Sequence, residues 1–186
     1  MSLFSRKKKL IVSGCSYTDD YATTQNLKPF PLWPELLAEK LDMECINVGK
    51  IAFGNKAIYS TLIDQVVSQK NVGLAISMWS EFQRVSFYMG EGNLPKGIDE
   101  KMLWSCFHPD RDYLEGEWHD QFYDDAEKNP SKKDYVYKVS KVIRENGLGG
   151  MKGGTYDSIR MMYSFQTICE SLDIPHLQVQ GCIPIM

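Results

Sequence analysis

Three short segments bring together residue types that can do chemistry on a carbonyl. In Lys9-Leu10-Ile11-Val12-Ser13-Gly14-Cys15-Ser16-Tyr17-Thr18 an apolar run breaks at Gly14 and delivers Ser16. Such a run, bounded by a glycine, reads as a short buried strand, and reactive groups of open α/β sheets gather at the carboxyl ends of strands. Ser16 therefore stands where a nucleophile is expected. A serine needs a base to take its proton and donors aimed at the oxyanion that forms. The backbone N–H groups of Ser16 and Gly54 are candidate donors, the Asn55 side chain is a third, and Ser80 is a further one from the segment Trp79-Ser80-Glu81.

The candidate bases are His108 and His119, which lie among Asp110, Asp112 and Asp120. The third histidine belongs to Asp173-Ile174-Pro175-His176, before a strand rather than after one. That leaves it on the order of 15 Å from a strand's carboxyl end at ~3.3 Å per residue. A metal held by His108, His119 and Cys106 lacks a fourth ligand and close spacing, so no metal and no other cofactor is expected.

These residues must be positioned by alternating strands and helices. After that first strand, the run of four apolar or small residues before Gly14, Leu32 to Leu41 places Trp33, Leu36, Leu37 and Leu41 on one helical face, and Met43 to Val48 reads as a second strand ending at Gly49. Asn55 to Gln69 carries Ala57, Ile58, Leu62, Ile63, Val66 and Val67 at helical spacing, with Asn55 as the N-cap. Val72 to Trp79 is a third strand. Tyr156 to Leu172 predicts a helix with Ile159, Met162, Tyr163, Gln166, Ile168 and Cys169 inward, followed by a fourth strand from His176 to Gln180. The alternation predicts an α/β fold, a three-layer α/β/α sandwich on a parallel sheet of flavodoxin-like order 2-1-3-4.

Between residues 90 and 154 the chain is polar and aromatic, with one helical candidate, Lys133 to Arg144, and a glycine-rich exit through Gly147, Gly149, Gly150, Gly153 and Gly154. It reads as a surface insertion within a single domain of residues 1–186. The glycine cluster follows no strand and lacks a GK[ST] ending, so a phosphate-cradling loop is disfavoured.

The chain has 186 residues, 43% of them hydrophobic, and a net charge of -3, which gives no general pull toward nucleic acid. Arg6-Lys7-Lys8-Lys9 reads as a solvated strand entrance. Five cysteines without CxxC spacing point to a reducing compartment rather than to disulfides or zinc. No apolar run approaches the ~20 residues of a membrane span, and the start lacks the apolar core of a signal peptide, so a cytoplasmic location is expected.

The segments Val12 to Thr18, Asn47-Val48-Gly49 to Gly54-Asn55, and Ile76-Ser77-Met78-Trp79-Ser80 with Arg84 resemble the SGNH/GDSL hydrolase superfamily, in a GCS-type branch of phage and bacterial proteins. The resemblance spans Lys8 to about Arg84. It implies a serine esterase or acetylhydrolase, acting on a small-molecule or carbohydrate ester, with Ser16 as nucleophile and Gly54 as the glycine of the second block. Cys15 stands where the family usually has aspartate. Met78-Trp79-Ser80-Glu81 stands where it has Gly-x-Asn-Asp. The catalytic Asp-x-x-His that the family carries after its last strand finds no counterpart here, so the chain as given reads as truncated, as inactive, or as supplied with its base by His108, His119 or a partner subunit. A sheet lacking its next strand has an open edge, which favours pairing with a second copy. Two readings remain beside the esterase. One is a non-catalytic module that holds a carbohydrate or nucleotide under the aromatic residues Trp104, Tyr113, Trp118, Phe122 and Tyr123. The other is a flavodoxin-like phosphate binder, which needs more Ser, Thr and Gly after the first strand than the chain supplies.

Overall fold

The computed structural model describes residues 7–19, 30–88, 104–107, 138–139, 141–143, 145–148 and 150–182. Four strands build one parallel sheet: β1 (Lys9–Ser13), β2 (Glu44–Asn47), β3 (Val72–Trp79) and, last in the chain, β6 (His176–Gln180). Their spatial order is β2-β1-β3-β6, the order expected from the strand–helix alternation. β1 pairs with β2 from Lys9↔Glu44 to Val12↔Asn47 and with β3 from Leu10↔Leu74 to Ser13↔Ser77. β6 runs beside β3 from Ala75↔His176 to Trp79↔Gln180.

Three helices cover the sheet: α1 (Trp33–Lys40), α2 (Asn55–Ser68) and α3 (Met151–Ser171). Side chains alternate across a strand, so Leu10, Val12 and Ile76 pack under α1 with Ala38, Trp33 and Leu37. Ile11, Ala75 and Trp79 face the other way, onto Ala57, Ile58, Leu62 and Val66 of α2 and Phe165 and Cys169 of α3. The result is a three-layer α/β/α sandwich. Trp79 is buried between the layers, its ring edge-on to Phe165 at 6.3 Å and its indole N–H donating to Gln178 Oε1 at 2.9 Å.

Several local expectations are corrected. Leu36 and Leu41 are exposed, because α1 turns Pro34 and Ala38 to the sheet and a small residue lets the helix approach closely. In α3 the inward face is Ser158, Phe165 and Cys169, while Ile159 and Tyr163 are more than half exposed. That helix also starts at Met151 and takes Gly153 and Gly154 into its first turn. A Cβ on Gly154 would lie 2.1 Å from the Phe82 carbonyl oxygen, so close packing on residues 82–83 outweighs the poor helix propensity of glycine. The segment assigned to an insertion without strands contains β5 (Trp104–Phe107), which pairs antiparallel with β4 (Val85–Tyr88). These strands are only four residues long, too short for alternation to stand out from the sequence. Tyr88 and Trp104 meet edge-to-face at 5.3 Å across that pair. Residues 138, 139, 141–143 and 145 are helical, within or beside the span where one helix was expected.

The basic run behaves as a strand entrance: Lys7 pairs with Asp42, and Lys9 Nζ donates to Gln69 Oε1 at 2.6 Å. Among the described residues no helix is long and apolar enough to cross a membrane.

Candidate active site at the carboxyl edge of the sheet

The chain leaves β1 toward β2 on one side and returns to β3 on the other. In open α/β sheets the crevice at such a reversal, outside the carboxyl ends of the strands, is the usual ligand site. Here the crevice lies between Gly14-Cys15-Ser16 after β1 and Ser80-Glu81 after β3.

The turn after β1 is built from glycine contacts and a polar clamp. The Thr18 and Asp19 N–H groups donate to the Cys15 carbonyl at 2.8 and 3.2 Å, which curls residues 15–19 and leaves Ser16 half-buried at the turn. Gly14 is required there, since a Cβ would fall 2.1 Å from Thr18 Oγ1 and 3.0 Å from Met78 Cβ. Gly49 meets the same turn, where a Cβ would come within 2.9 Å of the Gly14 nitrogen. Asn47 Nδ2 donates to the Thr18 carbonyl at 2.6 Å, and Asn47 Oδ1 accepts from the Gly49 N–H at 3.0 Å. Asp19 accepts from the Ile51 N–H at 2.8 Å and pairs with Lys50 at 3.2 Å. The loops after β1 and β2 are thus one cross-linked unit that holds Ser16 in place.

Gly54, not Asn55, is the N-cap of α2. Its missing Cβ admits the Arg84 carbonyl and Ser86 Oγ at 2.8 and 2.6 Å from where that atom would be, and its N–H is turned toward the Cys106 sulfur. Burial still keeps the Cys106 thiol above its ordinary range. Asn55 is the first helical residue and is almost fully buried. Its Oδ1 accepts from the Ser80 N–H at 2.7 Å and its Nδ2 donates to Ser158 Oγ at 2.8 Å, which ties the end of β3 to α3. Ser80, directly after β3, is fully buried. Arg84 closes the wall, with Nη2 on Glu81 Oε2 at 2.9 Å and Nη1 on the Phe53 carbonyl at 3.1 Å.

The structure brings Ser16 and Ser80 to one edge, and sets Gly54 and Asn55 in the wall behind them. It keeps His176 away. That residue opens β6 opposite Ala75, two strands from β1, with its ring edge-on to Phe165 at 5.8 Å. Strand spacing of ~4.8 Å and a rise of ~3.3 Å per residue put it more than about 10 Å from the turn that carries Ser16. His108 and His119 lie outside the described residues, as do Tyr113, Trp118, Phe122 and Tyr123. Among the described residues no group of three or more His, Cys, Asp or Glu is placed to hold a metal ion.

Two residues at this edge had no role in the sequence reading. Cys15 is fully buried, and its sulfur lies 3.8 Å from that of Cys182. Cys182 in turn lies 3.8 Å from Ser80 Oγ. Its position follows from β6: the Gly181 N–H continues the ladder onto the Trp79 carbonyl at 2.8 Å, and Gln180 Nε2 donates to the carbonyls of Ser80 and Cys182 at 3.0 and 2.8 Å. The hydrogen bond from Cys182 pulls the Cys15 thiol down from an ordinary 9.0 to about 6; the Tyr17 N–H, the Arg84 charge and the Ser80 hydroxyl add to this, against the opposing effect of burial. The same contact drives the Cys182 thiol the other way, well above its ordinary range. The two thiols are thus shifted in opposite directions by one contact. No sequence spacing marks this pair, because 167 positions separate its members.

Comparison of the chain with protein-family models, with curated proteins and with solved structures finds no match in any of the three.

Proposed function

We propose that the chain is an SGNH-like serine hydrolase that cleaves an ester or acetyl group, with Ser16 as nucleophile. The observation that carries this reading is the position of Ser16: half-buried, on a turn locked by Gly14, Thr18, Asn47 and Asp19, at the β1/β3 crevice of a parallel sheet. In this mechanism Ser16 Oγ attacks the carbonyl carbon, the Ser16 N–H donates to the oxyanion, and the alcohol leaves with a proton from the base. Water then releases the acyl group from Ser16. Gly54 and Asn55 support the wall of the crevice through their bonds to β3, α3 and the β4–β5 pair.

The base in this reading is His108 or His119. The substrate is a small-molecule or carbohydrate ester.

A fluorophosphonate probe tests this. Labelling of one site in the natural chain, lost in Ser16→Ala and in one of His108→Ala and His119→Ala, is the expected result. Labelling that survives Ser16→Ala, or no labelling of either protein, overturns it. The second reading, a module that binds a carbohydrate or nucleotide in the same crevice without cleaving it, is favoured by one observation: the polar groups of Gly54 and Asn55 are already engaged with protein partners.

A further inference from the structure

Of the polar and nucleophilic groups that the hydrolase reading leaves unused, the two cysteines at the crevice are the closest set. Cys15 and Cys182 touch at 3.8 Å, and neither is in a disulfide. They come from the two ends of the described fold and flank the carboxyl end of β3, on either side of Ser80. A disulfide needs its sulfurs at about 2.05 Å, so the pair has to close by less than about 2 Å. Cys182 is carried to that edge by the Gly181 N–H on the Trp79 carbonyl and by Gln180 Nε2 on the carbonyls of Trp79 and Ser80.

We propose that Cys15 and Cys182 are a reversible redox site, oxidised by hydrogen peroxide to a disulfide that straps β6 to the turn bearing Ser16. The two sulfurs divide the work. Cys15, with the Tyr17 N–H, the Ser80 hydroxyl and the Arg84 guanidinium favouring its anion, is the attacking thiolate. Its sulfur takes one peroxide oxygen; the O–O bond breaks, and the departing hydroxide picks up a proton to leave as water. Cys15 is then a sulfenic acid. The Cys182 sulfur attacks that sulfur, the S–S bond forms, the S–O bond breaks, and the hydroxide leaves with the Cys182 proton as a second water. Two thiols have lost two electrons and peroxide has gained them. A dithiol reductant reverses the bond by exchange.

The other three cysteines lack this arrangement. Cys45, Cys106 and Cys169 are each driven above their ordinary range by burial, and none of them is placed at the crevice beside a second thiol.

The test is a disulfide map of the full chain, which reads mass at sulfur and is independent of whether Ser16 reacts. The reduced protein is treated briefly with hydrogen peroxide, its remaining thiols are alkylated, and it is digested without reductant. The expected product is a Cys15–Cys182 cross-linked peptide, lighter by two hydrogens than its parts and split by dithiothreitol, with Cys45, Cys106 and Cys169 alkylated. In Cys182→Ser, oxidation stops at the Cys15 sulfenic acid, which dimedone traps; the natural chain gives no such adduct. A map in which Cys15 is unreacted or over-oxidised with no cross-link overturns the proposal. So does equal trapping of Cys15 by dimedone in the natural chain and in Cys182→Ser. If the variant fails to fold, the map of the natural chain decides.

Discussion

Asn55 shows how much one buried side chain can hold at this edge. Its carboxamide joins α2, where it opens the helix, to the end of β3 through the Ser80 N–H and to α3 through Ser158. Replacing it with alanine leaves a buried N–H and a buried hydroxyl without their partner, and each such loss costs about 1–3 kcal/mol. Asn55→Ala is expected to lower stability by about 3 kcal/mol, read as a shift in the midpoint of chemical unfolding; a loss below about 0.5 kcal/mol contradicts the cross-link. From the sequence, the same residue suggested a helix cap or an oxyanion donor. Those readings rest on residue type, and type alone does not say which way an amide points.

At the level of elements, the first turn of α3 separates propensity from packing. Gly153 and Gly154 are neighbours in one helix, yet a Cβ on Gly153 meets nothing within 4 Å while a Cβ on Gly154 meets the Phe82 carbonyl oxygen at 2.1 Å. Gly153→Ala should stabilise the protein by about 1 kcal/mol, since alanine loses less backbone freedom in a helix. Gly154→Ala should destabilise it by about 1–3 kcal/mol, because the backbone at Phe82 has to move. Thermal or denaturant melts of the two variants read the opposite signs directly. This also explains why the helix start lay hidden: a glycine-rich stretch reads as a flexible exit until its neighbour is known. The β1, β2, β3 and β6 strands were legible from their apolar runs, whereas β4 and β5 are too short to show a period.

For the molecule as a whole, the Cys15–Cys182 contact links folding to pH. Cys15 is the group whose ionisation is lowered, from 9.0 unfolded to about 6 folded, with Cys182, Arg84, the Ser80 hydroxyl and the Tyr17 N–H facing it and Glu81 paired to Arg84. Between those two values the unfolded chain binds more protons than the folded one, so stability rises with pH across this range and is lost as pH falls through about 6. Above 9.0 the sign reverses, because Cys182 keeps its proton in the folded state and gives it up on unfolding. Unfolding midpoints measured under reducing conditions should therefore climb from pH 6 to 9 in the natural chain, and Cys15→Ser should flatten that climb. An equal slope in both proteins rules out Cys15 as its source.

Local pattern was enough to establish the parallel α/β class, the strand order, three helices and the place of Ser16 after β1. Apolar periodicity records which face of an element is buried and glycine records where a turn is tight, and both are short-range properties of the chain. The pairing of Cys15 with Cys182, the commitment of Asn55 to Ser80 and Ser158, and the packing of Gly154 on Phe82 were not legible in that way. Each joins residues far apart in sequence, and such contacts exist only once β6 and α3 have docked against β3. The tertiary structure therefore decided which polar groups at the carboxyl edge of the sheet hold it together, and it set Cys15 and Cys182 side by side there.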